Sequence, residues 1–343
     1  MLAGVAACLF LFGCAPESDP LATQQGAAPE NSPNHANLYQ RYEPGKRYIY
    51  HFDMTYEMEM DEALGEMMPE GGAMSHTQEF ALSVLEGLPD GGARLELEFL
   101  KVEIDSNLAG QNLSFNSEDT TKPQLSELPQ VRVFQQMIGS KLNLDVDATG
   151  QVQSVKGLLA LRSKATEGID PQIGELIAST FTESYVDNIV TPMLPPHQGV
   201  QPGDSWPSNQ NRDMGVMGVA MMDIQSQYKG KVEHRGQDAA HITFSGVITG
   251  KTSGDSSDPF SDMMKLSEGK VTGSHWYAFE TGQVFDSSVD QTMTMKLEIP
   301  GLPAEAMPGG GMTIGFHQKY SRRLLRVESI SETATGADEV SIE

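Results

Sequence analysis

The run Tyr48-Ile49-Tyr50-His51-Phe52-Asp53-Met54-Thr55-Tyr56-Glu57-Met58-Glu59-Met60 decides the fold. Its even positions are all apolar or aromatic, while His51, Asp53, Thr55, Glu57 and Glu59 fill most of the odd ones. Successive side chains of a strand point to opposite faces, so this period of two predicts a long strand with one buried face. The alternation continues over 76–86 in Phe80, Leu82 and Val84. Beyond the turn residues Pro89-Asp90-Gly91-Gly92, Leu95, Leu97 and Phe99 alternate with Arg94, Glu96 and Glu98. The apolar parity then flips to Leu100, Val102 and Ile104, as one extra residue in a β-bulge would make it do. Three strands in an up-and-down antiparallel meander are expected.

Further along, the period changes. Val133, Phe134, Met137 and Ile138 recur at helical spacing, as do Ile173, Leu176, Ile177, Phe181, Tyr185 and Ile189. This predicts a short helix near 128–139 and one or two helices between 157 and 190. Between them, 142–152 reads as a hairpin with Gly150 where a three-residue loop wants a left-handed residue. Pro192, Pro195, Pro196 and Pro202 make a stiff linker that ends at Gly203-Asp204-Ser205-Trp206-Pro207. A second β series follows, with strands expected at 213–233, 238–251, 266–280, 283–299 and 312–328. Residues 149–152 and 281–284 share Thr-Gly-Gln-Val at an offset of 132 residues, which leaves both internal duplication and coincidence open. The expected class is mainly β with minor α, built from long antiparallel strands with a few helices on one face. The expected domains are a first β lobe with helices over 41–191, a proline-rich linker over 192–212, a second β lobe over 213–330 and a tail over 331–343.

At the other end of the chain, Leu2 to Phe12 are almost wholly apolar, and polar residues begin at Glu17. Eleven residues fall short of the roughly 20 that a membrane-spanning helix needs and match the apolar core of a secretory signal. Leu11-Phe12-Gly13-Cys14 resembles the lipobox of bacterial lipoproteins, in which a small residue precedes the cysteine that becomes acylated. The resemblance makes 1–13 a signal peptide, Cys14 the lipidation site and membrane lipid the first partner. No Lys or Arg precedes Arg41, whereas export signals open on a basic segment, so the start of translation is expected upstream. The only cysteines are Cys8 and Cys14, so the processed chain keeps one, at its first position, and forms no internal disulfide. Ala15 in place of an aspartate implies, by the same resemblance, retention in the outer membrane with a periplasmic or surface face. Residues 14–40, with Pro16, Pro20, Pro29 and Pro33 among small polar residues, read as a flexible acylated tether.

Composition narrows the function. The net charge is −24, and the only dense basic stretch is Lys319, Arg322, Arg323 and Arg326, which excludes general nucleic-acid binding. Gly203-Asp204-Ser205-Trp206 is similar to the nucleophile block of a lipase and esterase family. It lies mid-chain, however, and Ile314 stands where that family has an aspartate three before its histidine, here His317, so the reading is a turn into a strand with Trp206 packed below. Asp255, Asp258 and Asp262 read as a solvated acidic loop, since no glutamate completes a calcium loop. His275-Trp276-Tyr277 reads as a strand with Trp276 in the core. No enzyme activity, cofactor or metal site is expected.

The 19 methionines are the compositional oddity. They fit ordinary core packing, the lining of an adaptable apolar cavity, or soft ligation of Cu(I). The overall layout resembles the curved half-barrel of periplasmic lipoprotein carriers, which holds acyl chains under helices. Tyr42-Glu43-Pro44-Gly45, Leu194-Pro195-Pro196 before Gly203-Asp204-Ser205-Trp206, and Phe279-Glu280-Thr281-Gly282 resemble those of a family of uncharacterised bacterial envelope lipoproteins. The leading expectation is a non-enzymatic lipoprotein that binds an apolar small molecule or envelope component against Tyr48, Tyr50, Phe52, Met54, Tyr56 and Met58. A scaffold presenting its surface to an envelope protein and a methionine-based Cu(I) handler remain as alternatives.

Overall fold

The computed structural model describes residues 36–60, 72–108, 111–119, 129–169, 182–191, 197–213, 219–251, 264–297 and 312–330. The chain opens with β1 (Ala36–Leu38), and the meander follows as β2 (Lys46–Met60), β3 (Gly72–Gly87) and β4 (Ala93–Leu108). In the register, Lys101 faces Glu79 and Phe99 faces Phe80, so Leu100 is the extra residue of a bulge, at the parity flip in the sequence. β5 (Gln111–Asn116) pairs one half of β4, and β6 (Lys141–Val146) pairs the other.

Helix α1 (Pro129–Met137) precedes β6, and β7 (Val152–Lys156) closes its hairpin. α2 (Leu158–Thr166) and α3 (Glu183–Val190) then cross the sheet, and Thr182 caps α3 by accepting from the Tyr185 amide at 3.1 Å. Ile173, Leu176, Ile177 and Phe181, expected to be helical, lie outside the described residues. β8 (His197–Val200) pairs with β1, so the fold takes in residues that the sequence reading gave to the tether and the linker. Neither strand has an alternating pattern to announce it, since β1 is three residues long and all buried.

The second series comprises β9 (Ser205–Asp213), β10 (Val219–His234), β11 (Gln237–Lys251), β12 (Met264–Ala278), β13 (Gln283–Leu297) and β14 (Met312–Ser329). β14 pairs β2 along its length, and this joins both series in one twelve-stranded antiparallel sheet that does not close into a barrel. Its order is β7-β6-β4-β3-β2-β14-β13-β12-β11-β10-β9, with β5 beside β4.

The curl of this sheet follows from the two Thr-Gly-Gln-Val turns. Five inter-strand steps separate β6 from β13, roughly 24 Å in a flat sheet. Yet a Cβ on Gly150 would come within 2.4 Å of Gln40, and one on Gly282 within 2.6 Å of Arg41. Gln40 and Arg41 are adjacent in the chain, so the sheet must bend until both turns meet on this strap. The strap is held by the Arg41 amide to the Gly282 carbonyl at 2.8 Å and the Val284 amide to the Gln40 side chain at 2.9 Å.

The inward face carries two large core clusters. Tyr48, Tyr50, Phe80, Leu82, Leu95 and Leu97 pack under Val133 and Met137 of α1, Leu161 of α2, and Tyr185 and Ile189 of α3. Met54, Tyr56, Met58, Met74, Met222, Met293, Met295 and Phe316 form the second, toward the other ends of the same strands.

Candidate functional site

The six residues expected to bind a ligand do share the inward face of β2, divided between the two clusters. Tyr48 and Tyr50 belong to the helix-covered one, while Met54, Tyr56 and Met58 belong to the methionine-rich one. Phe52 packs against both. All except Phe52 are buried, with Met58 the most accessible at 8%. Burial pushes the Tyr56 hydroxyl well above the ordinary tyrosine range, so it stays protonated. Gln318 donates to the Met54 sulfur at 2.7 Å.

Between the clusters runs an inward row that is unusually polar. It crosses His275 on β12, Ser287 on β13, Arg322 on β14, Phe52 on β2 and Gln78 on β3, and all of these except Phe52 are buried. Arg322 donates through Nη1 to the carbonyls of Ile189 at 3.1 Å and Val190 at 2.8 Å, at the C-terminus of α3. A cation is favoured there, where the helix dipole is negative. The guanidinium also lies 4.0 Å from the Tyr50 ring centroid, and Tyr50 stacks on Phe80 at 5.4 Å. The Tyr50 hydroxyl donates to Gln283 at 2.8 Å, and burial raises its pKa more than Arg322 lowers it. His76, in the next inward row on β3, is pushed down to about 3 by burial against a weaker upward pull from Asp53. It is therefore neutral at physiological pH.

Sequence reasoning treated Arg322 only as part of a basic stretch. The signal was parity: Phe316 and Tyr320 face inward, and Arg322 holds the next inward position of β14.

On the opposite face, an open hollow of about 700 Å³ crosses β2, β14, β13 and β12. Ser274, Ser288 and Ser321 stand opposite one another along it, flanked by Asp53, Asp290 and Lys319. Of the six expected residues, only Met54 borders this hollow. Nearby, Trp276 is half-buried between the rings of His234 at 4.3 Å and His241 at 5.2 Å. It packs at the edge of a small cluster with Ala239, Ala278 and Phe285, whereas its neighbours His275 and Tyr277 point into the core. Asp286 is buried within hydrogen-bond distance of His234 Nε2 at 2.8 Å and accepts from Arg235 Nε at 2.5 Å. Arg235 has a positive φ of 52° in the two-residue turn between β10 and β11.

Gly203-Asp204-Ser205-Trp206 is the turn into β9: Asp204 accepts from the Gln201 amide at 2.8 Å, and Trp206 is buried. Cys14, the Asp255, Asp258 and Asp262 loop, and Met67, Met68, Met214 and Met217 lie outside the described residues. Among the described residues, no group of three or more His, Cys, Asp or Glu is placed to hold a metal ion.

Residues 90–284, more than half of the chain, match the family model described as "Family of unknown function (DUF6263)". The protein is a member of that family. No curated protein sequence matches the chain. Among solved structures it is similar to lipovitellin in a study of lipid–protein interactions, with 11% identity over 87% of this chain and a TM-score of 0.43. The chain spans 27% of that protein's length. It is also similar to a Bacteroides fragilis protein described as exported and YmcC-like in fold, with 11% identity, 86% and 100% coverage and a TM-score of 0.29. A Parabacteroides distasonis protein described as a lipoprotein gives 8% identity, 85% and 99% coverage and a TM-score of 0.27. Likenesses this distant decide neither fold nor function.

Proposed function

We propose that the protein is a non-enzymatic lipoprotein, anchored to the outer membrane through acylated Cys14, that holds an apolar molecule inside its curled sheet. The observation that carries this reading is the methionine-rich half of the interior. Six methionines, Met54, Met58, Met74, Met222, Met293 and Met295, belong to this one core cluster. Methionine is unbranched, has three rotatable bonds and is polarisable, so a methionine-lined core repacks around guests of varied shape more readily than a core of branched residues. The helices favour the other half: among the described residues, those of α2 and α3 that join a core cluster belong to the first, whereas the second meets Phe134 and Ile138 from the α1 region.

The test is to purify the full chain from a bacterial envelope, extract it with organic solvent and identify what is released by mass spectrometry. A near-stoichiometric apolar molecule is expected. A clean apo mass by native mass spectrometry, unchanged on adding lipid or Cu(I), would instead move the function to the surface. There the hollow over Ser274, Ser288 and Ser321 and the half-buried Trp276 would serve a scaffold that binds a partner protein.

A further inference from the structure

Arg322 is only 5% exposed, and among the described residues no carboxylate pairs with it. A buried, unpaired charge is expensive, and arginine keeps its charge in any protein setting. Two carbonyls of α3 take Nη1, and Tyr50 covers one ring-like face of the guanidinium. That accounts for one edge. The other edge carries Nε and Nη2; among the described residues Tyr50 is the side chain within the guanidinium's reach, and neither nitrogen makes a well-aligned hydrogen bond. These two nitrogens present parallel N–H bonds, the pairing that grips both oxygens of a carboxylate.

The surroundings point the same way. From Arg322 the inward positions continue on β14 to Tyr320 and Phe316, and on β2 from Phe52 to Met54 and Met58, into the methionine-rich cluster. An unfilled cationic fork thus stands at the boundary of an adaptable apolar core.

We infer that Arg322 is the head-group site for the carboxylate of a fatty-acid-like amphiphile whose tail lies among the methionines. This rests on the reading of an apolar ligand above and adds the class of that ligand. The experiment uses the full chain carrying Cys14→Ser, so that no acyl anchor competes, freed of bound lipid and titrated calorimetrically with laurate, dodecanol, acetate and inorganic phosphate. Laurate is expected to bind at least ten-fold tighter than dodecanol. In R322M, whose unbranched side chain still lies over Tyr50, laurate affinity falls to that of dodecanol while dodecanol binding is unchanged; R322K falls between. Equal binding of laurate and dodecanol by the Cys14→Ser protein would overturn the head-group site and leave the apolar-ligand reading standing. Binding of neither would overturn both. Acetate or phosphate binding as tightly as laurate would make Arg322 a small-anion site and sink the amphiphile assignment. The wild-type-sequence comparison at Arg322 needs no core substitution, so it decides even if R322M fails to fold.

Discussion

His76 lies beside Phe52 and Phe134 at ring separations of 6.5 and 5.5 Å, and its burial sets a pH dependence. Its pKa is lowered to about 3 in the fold, against 6.5 in the unfolded chain. The unfolded state therefore binds the extra proton first. Stability from this group is complete above pH 6.5 and drains away as the pH falls toward 3, by up to about 1.4 kcal/mol per unit. His241, also shifted down, adds a term of the same sign. Urea unfolding between pH 6.5 and 4.5 should show the decline, and H76Q should flatten it. At Tyr50, replacement by Phe leaves the buried Gln283 acceptor without its donor. A loss of about 1–3 kcal/mol is expected in the same unfolding assay. At this scale the sequence was half legible. Alternation told which β2 side chains face inward, but a period of two says nothing about whether an inward residue is apolar, and so Arg322, His275 and Gln78 escaped it.

The strap over the two glycine turns is the most exacting element. Gly282 has a φ of 67°, and any Cβ would strike Arg41. G282V should cost more than 1 kcal/mol, since it adds strain to a clash. Hydrogen exchange should quicken at the Arg41 and Val284 amides, which close the strap, before it quickens in β3 and β4. The long strands were legible to within a few residues, and the Leu100 bulge was written in a parity flip. β1, β8 and β9 were not. The first two have three and four residues, and β9 carries Pro207 and, among its described side chains, only Trp206 and Gln210 as buried positions, so tertiary pairing rather than local pattern makes them strands. The shared Thr-Gly-Gln-Val was visible as a repeat, but that both copies receive one strap depends on the curl of the whole sheet.

Across the whole molecule, β14 stitches the two series through fifteen registered pairs with β2. A continuous ladder predicts one cooperative unit. Fluorescence of Trp206 and Trp276, both in the second series, should change at the same denaturant concentration at which β3 amide protection is lost. Separate midpoints would mean that the two series unfold independently. Fold class was legible because strand periodicity is a local property. The curl was not, since it arises from contacts between turns more than a hundred residues apart.

The most direct measurement is methyl NMR of the full Cys14→Ser chain, labelled with ¹³C at the methionine methyl groups and titrated with dodecanol. Binding inside the sheet predicts shifts at the core residues Met54, Met58, Met74 and Met293, with Met221, which is exposed on β10, unmoved. Shifts confined to Met221, or none at all, would contradict an interior binding site.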